Sequence, residues 1–165
     1  MRNMKRVVES FSLPCSVEAF WPVFFDPAYT RALYMEELKF KDFAVLESRP
    51  ESRKLRIVPK VNLPGPLAKL VGDTFAYEEH GTFDRANNVW TWRMVHPGGG
   101  KGLLSTSGTI RVTPDGTGCR RQDDVTVEGK VFGISGIIES SVEKELHASW
   151  AKEIAFLRRR LAAPQ

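Results

Sequence analysis

Three histidines, two cysteines, a glycine–lysine run and a Ser-Thr-Ser stretch are the first places in this chain where residue type could signal chemistry. His80, His96 and His147 are far apart in sequence and form no H-E-x-x-H pair, the spacing that puts two imidazoles on one metal. They read as surface or structural histidines. Cys15 and Cys119 form no C-x-x-C and are too few for a zinc site or a disulfide framework. They read as two reduced, unbridged thiols, which points to the cytoplasm. Gly98-Gly99-Gly100-Lys101-Gly102 looks in part like a phosphate loop. However, Val95 stands where the first glycine should be and Gly102 where Ser or Thr should be, and a strand follows instead of a helix. It reads as a hairpin tip. No G-x-G-x-x-G occurs. Ser105, Thr106 and Ser107 have no base nearby in sequence and no G-x-S-x-G around them. No metal, nucleotide or other cofactor is expected.

A subtler pattern lies in the strands. Alternation over Val89–His96 puts Trp90, Trp92 and Met94 on one face and Thr91 and Arg93 on the other. By the same period, Phe75, Tyr77 and Glu79 share a face. So do Leu104, Thr106, Gly108 and Ile110, and so do Arg121, Asp123, Val125 and Val127. With the aromatic faces inward, the interior is mostly apolar, the usual make-up of a ligand pocket. Glu79, Arg121 and Asp123 are then the exceptions. A buried carboxylate is costly unless paired. Either one of these groups orients a ligand or acts as acid and base, or they pair with each other or lie at strand ends in solvent. No histidine falls on an inferred inner face, which lowers the enzyme reading.

The elements that must position these faces follow from local signals. Met4–Ser12 reads as a strand. Ser16 is a helix N-cap with Glu18 in the first turn, and Val17, Phe20, Trp21 and Phe24 follow at helical spacing. Asp26-Pro27 starts a second short helix through Tyr29, Leu33 and Tyr34. From Leu38 the period becomes two. Leu38, Phe40 and Ala44–Leu46 predict one strand, and Leu55, Ile57 and Val61 the next, across the turn Arg49-Pro50-Glu51-Ser52. Pro64-Gly65-Pro66 interrupts, and 67–72 reads as a short helix or turn. Thr74–Asp84, Val89–His96, Leu103–Thr113 and Cys119–Lys130 predict four more strands with turn-rich separators, hence an antiparallel meander. Ile134, Ile138, Val142, Leu146, Trp150, Ile154, Leu157 and Leu161 then mark one long amphipathic helix. Its stripe needs an apolar partner, and the sheet is the only object large enough. Ile138, Val142, Leu146 and Trp150 are expected to face it.

Composition agrees with one globular domain over residues 1–165. Of 165 residues, 42% are hydrophobic and 27% charged, which excludes a long disordered chain. The net charge of +4 is too small to imply a nucleic-acid partner. No apolar run approaches the ~20 residues of a membrane span, and no signal peptide is expected at the N-terminus. Integral membrane contact is therefore not expected, while a mildly basic surface leaves room for transient contact with a membrane surface.

The order of elements resembles the START-like helix-grip fold. Leu13-Pro14-Cys15-Ser16-Val17-Glu18-Ala19-Phe20-Trp21, followed by Asp26-Pro27-Ala28-Tyr29, looks like the opening signature of the polyketide cyclase (SRPBCC) superfamily. The stretches Leu63–Gly72 and Val125–Glu139 look like one bacterial branch of it, a domain of unknown function. The resemblance runs from about Met4 to Leu161. It implies an α+β fold in which a curved antiparallel sheet of six or seven strands wraps a long C-terminal helix, with two short helices after the first strand. It also implies a cavity between sheet and helix that holds a lipid, sterol or polyketide-like molecule. Its expected walls are Phe24, Tyr29, Leu33, Phe75, Tyr77, Glu79, Trp90, Trp92, Met94, Leu104, Thr106, Asp123, Ile138 and Val142. Two alternatives stand beside a carrier: a cyclase or dehydratase using a carboxylate or Tyr77 in that cavity, and a protein-interaction module with a filled core. Fold does not choose among them.

Overall fold

The computed structural model describes residues 4–60, 65, 69, 75–97 and 102–162. The chain opens with strand β1 (Met4–Leu13), then helices α1 (Val17–Phe24) and α2 (Pro27–Arg31). Both helices begin as their caps dictate. The Ser16 hydroxyl accepts from the Ala19 amide at 3.2 Å, and Asp26 Oδ1 accepts from the Ala28 amide at 2.9 Å with Pro27 in the first turn.

α2 does not simply continue through Tyr34 as the spacing predicts. It widens into a π-helical turn, Ala32–Glu37, in which the Leu38 amide donates to Leu33 O at 2.8 Å. Such a turn holds one more residue than an α-turn and is a frequent companion of functional sites. Lys39 then takes a left-handed conformation, φ 54°. Leu38 and Phe40 therefore belong to this irregular connection and not to a strand, which corrects the period-two reading there.

Six strands follow: β2 (Asp42–Arg49), β3 (Ser52–Val58), β4 (Tyr77–Asp84), β5 (Val89–Val95), β6 (Leu104–Asp115) and β7 (Gly118–Gly129). With β1 they form one seven-stranded antiparallel sheet in the order β1-β7-β6-β5-β4-β3-β2. Helix α3 (Ser135–Ala162) packs on β7 and β1. This is the helix-grip fold. The expected helix or turn at 67–72 and the glycine tip at 98–101 lie outside the described residues, Lys69 excepted, and Val61 lies outside them too. Among the described residues no helix is long and apolar enough to cross a membrane.

The core explains why a space remains inside. One cluster joins α1, α2 and the far half of α3 to the sheet: Phe20, Trp21, Phe24, Tyr29, Trp90, Ile110, Ile154 and Leu157 are all buried. Trp21 Nε1 also donates to Asn88 Oδ1 at 3.1 Å, pinning α1 to the β4–β5 turn. A second cluster packs Trp150 on Val7, Val125 and Val127. Between Ile138 and Trp150, both buried, Val142 and Leu146 are only half-buried. The helix is thus seated at both ends of this stretch and spans a gap between them.

Candidate functional site

The gap is a cavity of about 250 Å³ between the inner sheet face, α3 and the α2–π connection. Strand pairing lines up its walls in rows. Arg53 sits opposite Gly81, Gly81 opposite Trp92, and Trp92 opposite Gly108. One row further on, Leu55 faces Glu79 and Glu79 faces Met94. In the other direction Phe83, Trp90, Ile110 and Asp123 form a row. The two glycines are what let the tryptophans lie flat. A Cβ on Gly81 would stand inside the Trp90 indole, and one on Gly108 would be 2.9 Å from Trp92 Cζ2 and 2.8 Å from Asp124 O.

The inner faces read from the sequence come together here. Phe24, Tyr29, Leu33, Phe75, Tyr77, Glu79, Trp90, Trp92, Met94, Leu104, Thr106, Asp123 and Val142 all line the cavity. Ile138 does not. It is buried, but at the first turn of α3, which is held against the end of β7 by the Gly129 amide donating to Glu139 Oε2 at 2.8 Å. Ile138 therefore sits short of the open space. Of the helix stripe, Val142, Leu146 and Trp150 face the cavity.

Arg121 and Asp123 pair with each other, one of the alternatives their types left open. Arg121 Nε and Nη2 donate to Asp123 at 2.9 and 3.0 Å, and Nη1 and Nη2 donate to Glu153 at 3.0 Å each. The Tyr29 phenol donates to Glu153 Oε2 at 2.9 Å. One guanidinium thus serves two carboxylates, a fork geometry suited to arginine. Burial holds the Asp123 carboxyl above its ordinary range even so, and pushes the Tyr29 phenol far up, so that it stays a donor.

Glu79 has a different setting. Among the described residues it has neither a hydrogen bond nor an ion pair. Burial raises its pKa, with nearby Arg53 opposing the shift. The phenols of Tyr34 and Tyr77, also cavity-lining, are raised by burial as well and remain protonated.

Glu153, Arg53 and Tyr34 are among the lining residues that escaped the sequence reading. Glu153 stands three residues after Trp150 on the inward stripe of α3, so helical spacing could have found it. Arg53 precedes Leu55 and Ile57 by the period of two that placed them inside, but its charge argued for solvent. Tyr34 faces inward because of the π-turn, which no local signal announced. The histidines lie outside the cavity wall, on Glu78 (His80, 2.8 Å), Leu104 O (His96, 2.8 Å) and Glu9 (His147, 2.7 Å). Among the described residues no group of three or more His, Cys, Asp or Glu is placed to hold a metal.

A family model described as "Protein of unknown function (DUF2505)" matches residues 9–161. The chain belongs to this family. No curated protein matches the DUF2505 chain by sequence. Solved structures match it in shape over nearly its whole length. TTHA0849 from Thermus thermophilus has a TM-score of 0.70 at 19% identity, covering 98% of this chain and 100% of that one. The Zhui aromatase/cyclase from Streptomyces sp. R1128 has a TM-score of 0.70 at 16% identity, covering 98% of each chain. A norcoclaurine synthase from Thalictrum flavum, solved as a point mutant with a transition-state analogue, has a TM-score of 0.70 at 16% identity and covers 98% and 99%. At such identities the likeness is one of fold. It shows that this DUF2505 chain shares the helix-grip fold of these proteins.

Proposed function

We propose that the protein binds an apolar small molecule, of lipid, sterol or polyketide-like shape, in the cavity between sheet and α3. The observation that carries this reading is the unfilled space of about 250 Å³ walled by Trp90, Trp92, Met94, Leu104, Phe75 and Val142. Burying a ligand against such a wall yields roughly 25 cal/mol per Å² of apolar surface. The buried Tyr29–Glu153–Arg121–Asp123 network satisfies its own polar groups, so it holds one wall in shape without needing the ligand. The test is titration with a panel of fatty acids, sterols and aromatic polyketide mimics, followed by tryptophan emission. The expected result is a saturable change, with affinity about tenfold lower in Trp92→Ala. An emission unmoved by the whole panel would sink the reading.

One observation favours a second reading, an enzyme of the cyclase or dehydratase type. Glu79 is a carboxyl whose pKa burial raises, on an apolar wall, the setting in which a carboxyl can serve as a proton donor. The aromatase/cyclase and norcoclaurine synthase of the same fold lend it support. Under this reading the ligand is recovered chemically changed, and Glu79→Gln stops the change while leaving binding intact.

A further inference from the structure

The cavity contains a second guanidinium, and its circumstances differ from those of Arg121. Arg53 lies on β3 and is only 8% exposed. It lines the cavity. Among the described residues it has no ion pair; its one hydrogen bond is a long one, Nη1 to Thr30 Oγ1 at 3.4 Å, and its Nε has no partner at all. A buried cation left this way is costly, because water's interactions with it have been removed and little replaces them.

Aromatic rings hold the group in place. The Arg53 guanidinium carbon lies 5.3 Å from the centroid of Phe24 and 5.3 Å from that of Trp90. Cation–π attraction of this kind engages the charge but leaves Nε and Nη2 without hydrogen-bond partners among the described residues, since the N–H donors point out in the guanidinium plane. An unused fork of donors is shaped for one planar anion with two oxygens.

The protein's own carboxylates do not fill that role. Asp123 and Glu153 are both taken by Arg121. Glu79 and Glu145, which also line the cavity, form no ion pair with Arg53 among the described residues, and burial raises the Glu79 pKa, favouring the neutral form, in which it is itself a hydrogen-bond donor. The Tyr34 and Tyr77 phenols add two more donors to the same cavity.

We propose that Arg53 is the anchor for an acidic head group, so that the molecule in this cavity is an apolar carboxylic acid whose carboxylate seats on the Arg53 guanidinium and whose hydrocarbon body lies along Trp92 and Met94. This rests on the reading of the cavity as a site for an apolar ligand. It adds a charge requirement which that reading lacks.

Calorimetric titration with matched pairs separates the two. Decanoic acid is compared with decanol, and naphthylacetic acid with naphthylethanol, at a pH where the acids are ionised. The wild-type protein is expected to bind each acid about tenfold or more tighter than its alcohol. In Arg53→Gln the acid is expected to fall to the level of the alcohol, so that the acid-to-alcohol affinity ratio, read within the variant, drops to about one. Arg53→Lys keeps the charge but not the fork and should lose most of the preference; it serves if the glutamine variant does not fold. Equal binding of acid and alcohol by the wild type, or a preference that survives in both variants, overturns the anchor and leaves the cavity reading standing. If neither member of either pair binds, the cavity reading fails and the anchor with it.

Discussion

Tyr29 and Glu153 meet at 2.9 Å, and the glutamate oxygen that accepts the phenol also accepts Arg121 at 3.0 Å. A residue from the short N-terminal helices is thereby tied through the C-terminal helix to β7. The cavity wall and the docking of α3 are one construction.

Removing parts of this construction should cost unequal amounts. Tyr29→Phe deletes one hydrogen bond to a charged acceptor and is expected to destabilise the protein by about 1–2 kcal/mol. Arg121→Met leaves the buried Asp123 and the half-buried Glu153 without their cation and is expected to cost about 3–5 kcal/mol. Part of that loss should return as pH falls, because carboxyls stripped of a cation are neutralised more readily. Urea unfolding at several pH values measures both effects. Equal costs for the two variants would contradict the shared-cation arrangement.

Glu79 predicts a pH dependence of the opposite sense to a salt-bridged carboxylate. Its folded pKa is raised from the ordinary 4.5 by burial. The folded state therefore holds this proton more tightly than the unfolded state does. Its contribution is fully present below pH 4.5 and is lost as pH rises through the folded pKa. Glu79→Gln keeps the size and removes the titration. The variant is expected to match or exceed wild-type stability at about pH 8, with a flatter profile above the ordinary carboxylate range. A steeper profile in the variant would reverse the assignment.

Gly81→Ala is predicted to disturb the site without touching a polar group. The added methyl needs the space the Trp90 indole occupies. Trp90 must move, and Arg53 rests on its ring. Overpacking of this kind costs about 1–3 kcal/mol. Near-ultraviolet circular dichroism should report the shifted tryptophan, and an unchanged spectrum would refute the close fit.

The thiols of Cys15 and Cys119 are free and 3.7 Å apart. Burial pushes Cys119 up to about 12 and raises Cys15 as well. At about pH 8 almost no thiolate is present, so alkylation by iodoacetamide should be slow in the native protein and fast after unfolding. The intact mass should be that of two thiols. A mass lower by two hydrogens would show a bridge.

Trp90, Trp92 and Met94 were readable because alternation needs only the sequence of one strand. Glu79 was readable for the same reason. Arg53 was not, because the rows that enclose it come from three strands and from rings on α1, and a charged side chain beside Lys54 reads as solvent-facing. The turn at Ala32–Glu37 was hidden more deeply. No local propensity in Ala32–Glu37 encodes its wide hydrogen-bond spacing. Ile138 had the right spacing and the wrong place, since the Gly129–Glu139 clamp acts between elements.

The outermost strand β1 pairs along its whole length with β7, and the Arg6–Asp124 ion pair across that seam joins residues 118 positions apart. During synthesis the first strand therefore emerges from the ribosome long before its partner exists. Strands β2 to β6 can pair with near neighbours as they appear, but β1 must wait, and the seam closes only after a large loop has been drawn in. Birth order and assembly order are thus inverted at this edge. Val7 and Phe11 depend on β7 and α3 for their cover, packing with Val125, Val127 and Trp150, and a nascent chain stalled before Gly118 would present both to the cell.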